Sequence, residues 1–111
     1  MAFNPQAAYF ATTVTLPLAN TKYSLYALVQ ANRANAPQSC REVTVQISSS
    51  QGAKVWFGDG LMTESDYGTV LSSTDGLSKH WGSDQGNVVW GLIFVMTDTA
   101  NATIAVEGLG C

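Results

Sequence analysis

Apolar and polar residues alternate along several short segments of the chain, which is typical of β-strands with one buried and one wetter face. The alternation is clearest over residues 41–48 and recurs over residues 102–107. In both segments the apolar residues fall on one side, and charged or neutral polar residues fall mostly on the other. We expect the following side chains to point into the core: Val43, Val45, Ile47, Ala102, Ile104 and Val106.

Shorter or weaker patterns predict the remaining strands. They cover residues 12–16, 23–31, 53–57, 67–71 and 87–97, whereas residues 77–81 are ambiguous. Turn-forming residues at 48–52 predict a hairpin between the strands on either side, and Asp98 to Asn101 predict a second hairpin. No segment shows a clear 3.6-residue period over about eleven positions, so no helix is expected.

About seven or eight short strands at intervals of roughly 8–12 residues are typical of an all-β protein. We therefore expect a single-domain, jelly-roll-like β-sandwich of antiparallel strands. A length of 111 residues suits one such domain. Residues 1–11 are predicted to form an extended N-terminal arm and residues 12–111 the sandwich, the alternative being a frayed terminus without a role.

The segment from Val88 to Met96 is apolar on both faces, unlike the other predicted strands. In a sandwich of two sheets, one face of such a strand meets the core and the other meets solvent. A bare apolar outer face would promote aggregation. Two covers are open at this point: a loop or the N-terminal arm of the same chain, or a neighbouring subunit.

Charge is scarce: 12% of the residues are charged, against about 25% in an average soluble domain. Such a surface favours a protein that is packed against other proteins. The five basic residues are scattered and the net charge is −3, so we expect no nucleic-acid partner. The first residues lack the pattern of a signal peptide, and the longest apolar run is too short to span a bilayer. We expect synthesis in a cytosol and no membrane association.

The residues that carry chemistry are few. Cys40 and Cys111 can pair, but a cytosolic origin favours free thiols. His80 is the one histidine, and no serine or cysteine has the local context of a nucleophile. We therefore expect no enzyme, no cofactor, no metal and no small-molecule substrate. Calcium stays open, because three carboxylates lie close together in sequence although not at EF-hand spacing: Asp59, Glu64 and Asp66.

Three tryptophans keep a carbohydrate-binding module open as an alternative, since sugars stack on exposed aromatic faces. Trp90 lies within the most apolar segment and is expected in the core. Trp56 lies on the opposite face from Val55 and Phe57, where a subunit contact or a sugar would fit. Trp81 follows His80 in the ambiguous segment and is the best candidate for an exposed ligand contact.

Four motifs follow one another in an order that resembles small virion proteins of tailed bacteriophages. They are Leu-Tyr-x-Leu from Leu25, the alternating Cys-Arg-Glu strand from Cys40, Gly-x-Lys-Val-x-x-Gly-Asp ending at Asp59, and Tyr-Gly-x-x-Leu from Tyr67. The resemblance covers about half of the chain, mainly residues 23–71. It implies a capsid decoration or cement protein that stabilises capsomer junctions as a homotrimer in the virion, bound to the major capsid protein. A head fibre or tail accessory domain is equally compatible with it.

If the resemblance holds, apolar side chains of the arm and of the doubly apolar strand form the contact with other subunits or with the capsid. The residues expected there are Phe3, Tyr9, Phe10, Trp56, Trp90, Leu92 and Phe94.

Overall fold

The computed structural model describes residues 9–48, 52–72, 78–82 and 88–111. These residues form ten strands, one α-helix and a 3₁₀ turn. In chain order the elements are β1 (Tyr9–Leu16), β2 (Tyr23–Ser24), α1 (Leu25–Asn32), β3 (Ser39–Cys40), β4 (Glu42–Ile47), β5 (Val55–Gly58), β6 (Thr69–Leu71), β7 (Ser78–Gly82), β8 (Val88–Val89), the 3₁₀ turn (Trp90–Leu92), β9 (Phe94–Thr97) and β10 (Ala102–Leu109).

The strands form antiparallel pairs in a nested order: the first strand pairs with the last, the second with the last but one, and so on to the middle of the chain. β1 pairs with β10, β2 with β9, β3 with β8, β4 with β7, and β5 with β6. This long ribbon folds back on itself, so that β10 also pairs with β4 and β9 with β5. The result is a first sheet in the order β1-β10-β4-β7 and a second sheet in the order β2-β9-β5-β6. A ribbon folded in this way is a jelly roll, so the predicted all-β sandwich is confirmed.

The core lies between the two four-stranded sheets. The inward residues predicted for β4 and β10 are all buried, as the alternation requires. From the second sheet, Val55, Phe57 and Leu71 pack against them, and Val95 of β9 joins the same cluster. Trp90 is the largest fully buried side chain. These contacts fix the relative position of the two sheets, and with it the two outer faces.

The strand predicted for residues 23–31 is wrong. Only Tyr23 and Ser24 are extended, and helix α1 follows at once. The Ser24 hydroxyl caps the helix by accepting a hydrogen bond from the backbone N–H of Ala27 at 3.5 Å. Leu25 and Val29, one turn apart, are the buried residues of the helix. The helix packs beside β1, which is the edge of the first sheet.

Both predicted hairpins are wrong as well. β4 and β5 lie in different sheets, and so do β9 and β10. In neither case does the chain lead from one strand to a strand that pairs with it. Asn101 takes a positive φ of 63° between β9 and β10, which asparagine tolerates better than most residues, and its N–H donates to the carbonyl of Leu16 at 2.9 Å.

The doubly apolar segment is not one continuous strand. It begins as β8, turns through a 3₁₀ turn at Trp90–Leu92, and continues as β9 in another sheet. The turn places the Trp90 indole wholly inside the core, against Phe10 at a centroid distance of 6.0 Å. Gly91, which lies in the middle of the turn, marks the point where the strand pattern is interrupted.

The predicted boundary of the N-terminal arm is misplaced. Tyr9, Phe10 and Ala11 belong to β1 and pair with β10, and Phe10 packs against the core from the inner face of the sheet. Residues 1–8, including the predicted anchor Phe3, lie outside the described residues.

The prediction of free thiols is also wrong, because Cys40 and Cys111 form a disulfide bond. The bond ties β3 to the chain just after β10. Gly108 lies directly beneath it, and a methyl group at this position would overlap the sulfur of Cys40 and approach the Trp90 indole to 3.0 Å. Cys40 itself is fully buried within the main cluster, so the disulfide is an extension of the core.

Candidate interaction surfaces

The outer face of the first sheet carries mostly polar side chains; we name it the polar sheet face. It consists of the outward side chains of β1, β10, β4 and β7, which follow from the register of the sheet. Its members are Tyr9, Ala11, Thr13, Thr15, Thr103, Ala105, Glu107, Leu109, Glu42, Thr44, Gln46, Ser78, His80 and Gly82. None of them is a lysine or an arginine.

Two hydrogen-bonded groups occupy one end of the polar sheet face. The Tyr9 hydroxyl donates to Oε2 of Glu107 at 2.7 Å. His80 contacts Oγ1 of Thr44 through Nδ1 at 2.8 Å and Oε1 of Glu42 through Nε2 at 3.3 Å. A shallow depression of about 160 Å³ lies between the two groups, with Leu109 on its wall.

The hydrogen bond to Glu107 raises the pKa of Tyr9 above its usual value of 10.0, with burial and the charge of Glu107 acting in the same direction. The phenol thus stays a donor throughout the neutral range. Both nitrogens of the His80 ring are engaged, and Glu42 and His80 are each about half exposed, at 48% and 53%. These groups can bind polar atoms of a partner through hydrogen bonds.

The outer face of the second sheet is built differently, because its side chains are apolar. Trp56 of β5 lies between Val70 of β6 and Met96 of β9, with Phe94 alongside. Met62, from the loop between β5 and β6, covers this row and is itself only 4% exposed. A loop of the same chain therefore covers the apolar face. This is one of the two covers left open by the sequence, and it holds for the β9 part of the segment, since Val89 and Leu92 are exposed.

The residues expected at an interface are consequently distributed over different environments. Tyr9 is 64% exposed on the polar sheet face, and Leu92 is 71% exposed at one end of the sandwich. Trp90 is wholly buried and cannot reach a partner, so its assignment to an interface is wrong. Trp56 is 9% exposed beneath Met62, and Phe94 is half-buried beside it. Phe10 is turned toward the core.

A groove at the end of the sandwich contains Trp81, the predicted ligand contact; we name it the Trp81 groove. Trp81 lies on the inner face of β7, opposite Phe57 of the second sheet, with ring centroids 5.7 Å apart. The groove has a volume of about 250 Å³. Its lining comprises Phe57, Gly58, Asp59, Gly68, Thr69, Trp81, Leu92 and Ile93.

The carboxylates considered for calcium do not form a cluster of ligands. Among the described residues, no group of three or more His, Cys, Asp or Glu side chains is placed to hold a metal ion. Oδ1 of Asp59 instead accepts a hydrogen bond from the backbone N–H of Leu61 at 2.9 Å and so shapes the start of the loop. Thr63 and Asp66 pair through their backbones within the same loop.

The polar sheet face was not identified from the sequence, although part of the signal was present. The alternation places Glu42, Thr44 and Glu107 on the outward side of their strands. The adjacency of these residues depends on the pairing of β10 with β4, which joins segments far apart in the chain.

Comparisons with known proteins did not assign a family. No protein-family model and no curated protein matches the sequence. In the described part of the chain, the one α-helix is far too short to cross a bilayer.

Proposed function

We propose that this protein is a structural component of a virion: a capsid decoration protein that packs through its polar sheet face and stabilises capsomer junctions as a homotrimer. It acts by adding buried surface across contacts that internal pressure strains. Apolar surface removed from water contributes about 25 cal/mol per Å² before the cost of association is subtracted.

The observation that carries the proposal is the composition of the polar sheet face. Among the described residues, the outward side chains of its four strands include the carboxylates of Glu42 and Glu107 but no lysine or arginine, and Arg33 of the chain after α1 lines a depression on the face. Surfaces that stay in water usually carry interspersed charges of both signs, whereas these carboxylates have no lysine or arginine beside them among the outward side chains of the four strands. Short hydroxyl and methyl side chains in the middle of the face, such as Thr13 and Ala105, allow a second protein to approach closely. These properties favour a face that is covered in the assembled state.

The fold and the sequence resemblance support the same proposal. Jelly rolls recur in viral capsid proteins and in lectins, although a fold alone does not define a function. The motifs from Leu25 to Leu71 resemble virion proteins of tailed bacteriophages. A cyclic trimer joins two different patches of each subunit, so we expect the polar sheet face to meet a different surface of its neighbour.

Binding to capsids tests the function. The protein is mixed with capsids of the encoding phage that lack it, and bound protein is measured after sedimentation. We expect saturable binding by the natural protein and loss of binding by Ala105→Lys, because this substitution puts a long cation at the centre of the polar sheet face.

Ser65→Lys is the matched control, since Ser65 is exposed in the loop between β5 and β6, away from that face. It adds the same charge and should bind like the natural protein. Failure of the natural protein to bind, or equal binding by Ala105→Lys, would refute the proposal.

A further inference from the structure

The Trp81 groove combines an aromatic surface with polar groups at its rim, and its features do not depend on the proposed virion role. We propose that it binds a neutral saccharide through a single pyranose ring, which stacks on the indole of Trp81 and donates hydroxyl hydrogen bonds to Asp59.

The indole is half-buried and reaches the groove because of its place in the fold. Trp81 points inward from β7, which is an edge strand, and it pairs with Val43 close to one end of the sandwich. There the side chain is half-buried: it packs against the main core cluster and also lines the groove. An inward-facing tryptophan is thereby available to a ligand.

Two neighbours hold the indole in place before any ligand arrives. Phe57 meets it at an interplanar angle of 63°, and Nζ of Lys79 lies 5.9 Å from the ring centroid. A cation at this distance is attracted to the ring. A side chain that is already ordered loses little entropy when a ligand stacks on it, which is the advantage of a preorganised site.

The rim provides the polar half of the site. Asp59 is exposed, and Oδ1 is oriented by the backbone N–H of Leu61. The half-buried Thr69 also lines the groove, together with the backbone of Gly58 and Gly68. A pyranose has C–H groups on one face, which suit the electron-rich face of an aromatic ring, and hydroxyls around its edge, which suit a carboxylate.

The same features disfavour other occupants. An apolar side chain of a partner protein would remove the Asp59 carboxylate from water without giving it a hydrogen bond, which is costly. An acidic sugar would bring a second negative charge toward Asp59. The volume of about 250 Å³ lies below the roughly 300–1,000 Å³ of sites for drug-sized ligands, which suits one ring rather than several.

Saturation-transfer NMR on the full chain provides the test. The probes are glucose, galactose, mannose and N-acetylglucosamine at millimolar concentration, with N-acetylneuraminic acid as the acidic counterpart. We expect transfer to at least one of the four neutral sugars and none to the acidic one. Trp81→Ala should lower the affinity about tenfold or more, the loss expected when an aromatic anchor is removed.

Asp59→Asn is the second variant, because an asparagine keeps the acceptor for the Leu61 N–H and removes only the charge. It should weaken binding several-fold and leave the melting temperature unchanged. Asp66→Asn is its matched control, since it removes the same charge from the same loop outside the groove, and it should bind like the natural protein. If Trp81→Ala fails to fold, Asp59→Asn decides the outcome.

No transfer to any of the four neutral sugars would overturn the proposal. So would undiminished binding by both variants, because the sugar would then lie elsewhere. Displacement of the sugar by an apolar peptide, with Asp59→Asn increasing the affinity for that peptide, would identify the groove as a protein-docking site instead.

Discussion

The two sheets of this sandwich present outer faces of opposite character. The second sheet carries an apolar row of Trp56, Val70 and Met96, and the chain covers that row with Met62 from its own loop. The outer face of the first sheet carries mostly hydroxyl, amide and carboxylate side chains, without a lysine or arginine among the outward side chains of its four strands. An apolar outer face is thus covered within the chain, whereas the polar sheet face is the surface that we propose for assembly.

This difference shows that an apolar strand in the sequence does not by itself indicate a surface for another subunit. A neighbouring subunit was one of the two covers left open for the apolar segment that contains β9, yet Val95 and Met96 pack within the chain. The surface that we propose for assembly is instead a mostly polar one without a lysine or arginine among the outward side chains of its strands. Three predictions test or sharpen this comparison.

The largest expected effect is on the first sheet, whose β10 end is anchored by the disulfide. Cys111→Ser should lower the free energy of unfolding by about 4 kcal/mol, because the bond closes a loop between residues 71 positions apart. Urea denaturation measures the change. A loss below about 1 kcal/mol, or two titratable thiols in the natural protein under non-reducing conditions, would contradict the structure at this point.

The next effect concerns the cover of the second sheet. Met62→Ala should lower the free energy of unfolding by about 2–3 kcal/mol, because it removes a buried side chain and uncovers the indole of Trp56. Leu61→Ala is the matched control, because the Leu61 side chain, next to Met62 in the loop, is 84% exposed. We expect its free energy of unfolding to change by no more than about 0.5 kcal/mol. Urea denaturation of both variants provides the comparison. Equal effects would mean that the loop does not cover the face.

The smallest effect concerns the hydrogen bond at the edge of the polar sheet face. The Glu107 carboxylate raises the pKa of Tyr9, so Glu107→Gln should return that pKa toward 10.0. The bond stabilises the fold below the usual tyrosine pKa, and the contribution is lost as the pH rises through the raised value. Ultraviolet titration of the phenols, with Tyr9→Phe to identify the signal, measures the shift. An unchanged titration in Glu107→Gln would exclude the bond.

The alternation of the sequence predicted the fold class and the strands that alternate most regularly. Strands β4 and β10 and their buried faces followed directly from period-2 patterning. Helix α1 was missed because, at eight residues, it is too short to show a 3.6-residue period. Its signals were Ser24 as a capping residue and the run of good helix formers after it, including Ala27 and Leu28.

The connections between sheets could not be predicted from local patterns. A turn such as Asp98 to Asn101 has the same composition whether it joins neighbouring strands or crosses between sheets. The disulfide was missed because the expected cytosolic origin favoured free thiols, and local patterns do not show the approach of Cys40 to Cys111, which depends on the complete fold. The Trp81 groove was anticipated only as a single exposed aromatic residue, since Asp59 and Phe57 join it through tertiary packing.

The central claim is that the polar sheet face is the assembly surface. Light scattering across a dilution series measures it most directly, on the natural protein and on Ala105→Lys. We predict a mass close to three times 11.8 kDa for the natural protein and 11.8 kDa for the variant. A natural protein that stays at 11.8 kDa at every concentration, or a variant that keeps the trimeric mass, would contradict the claim.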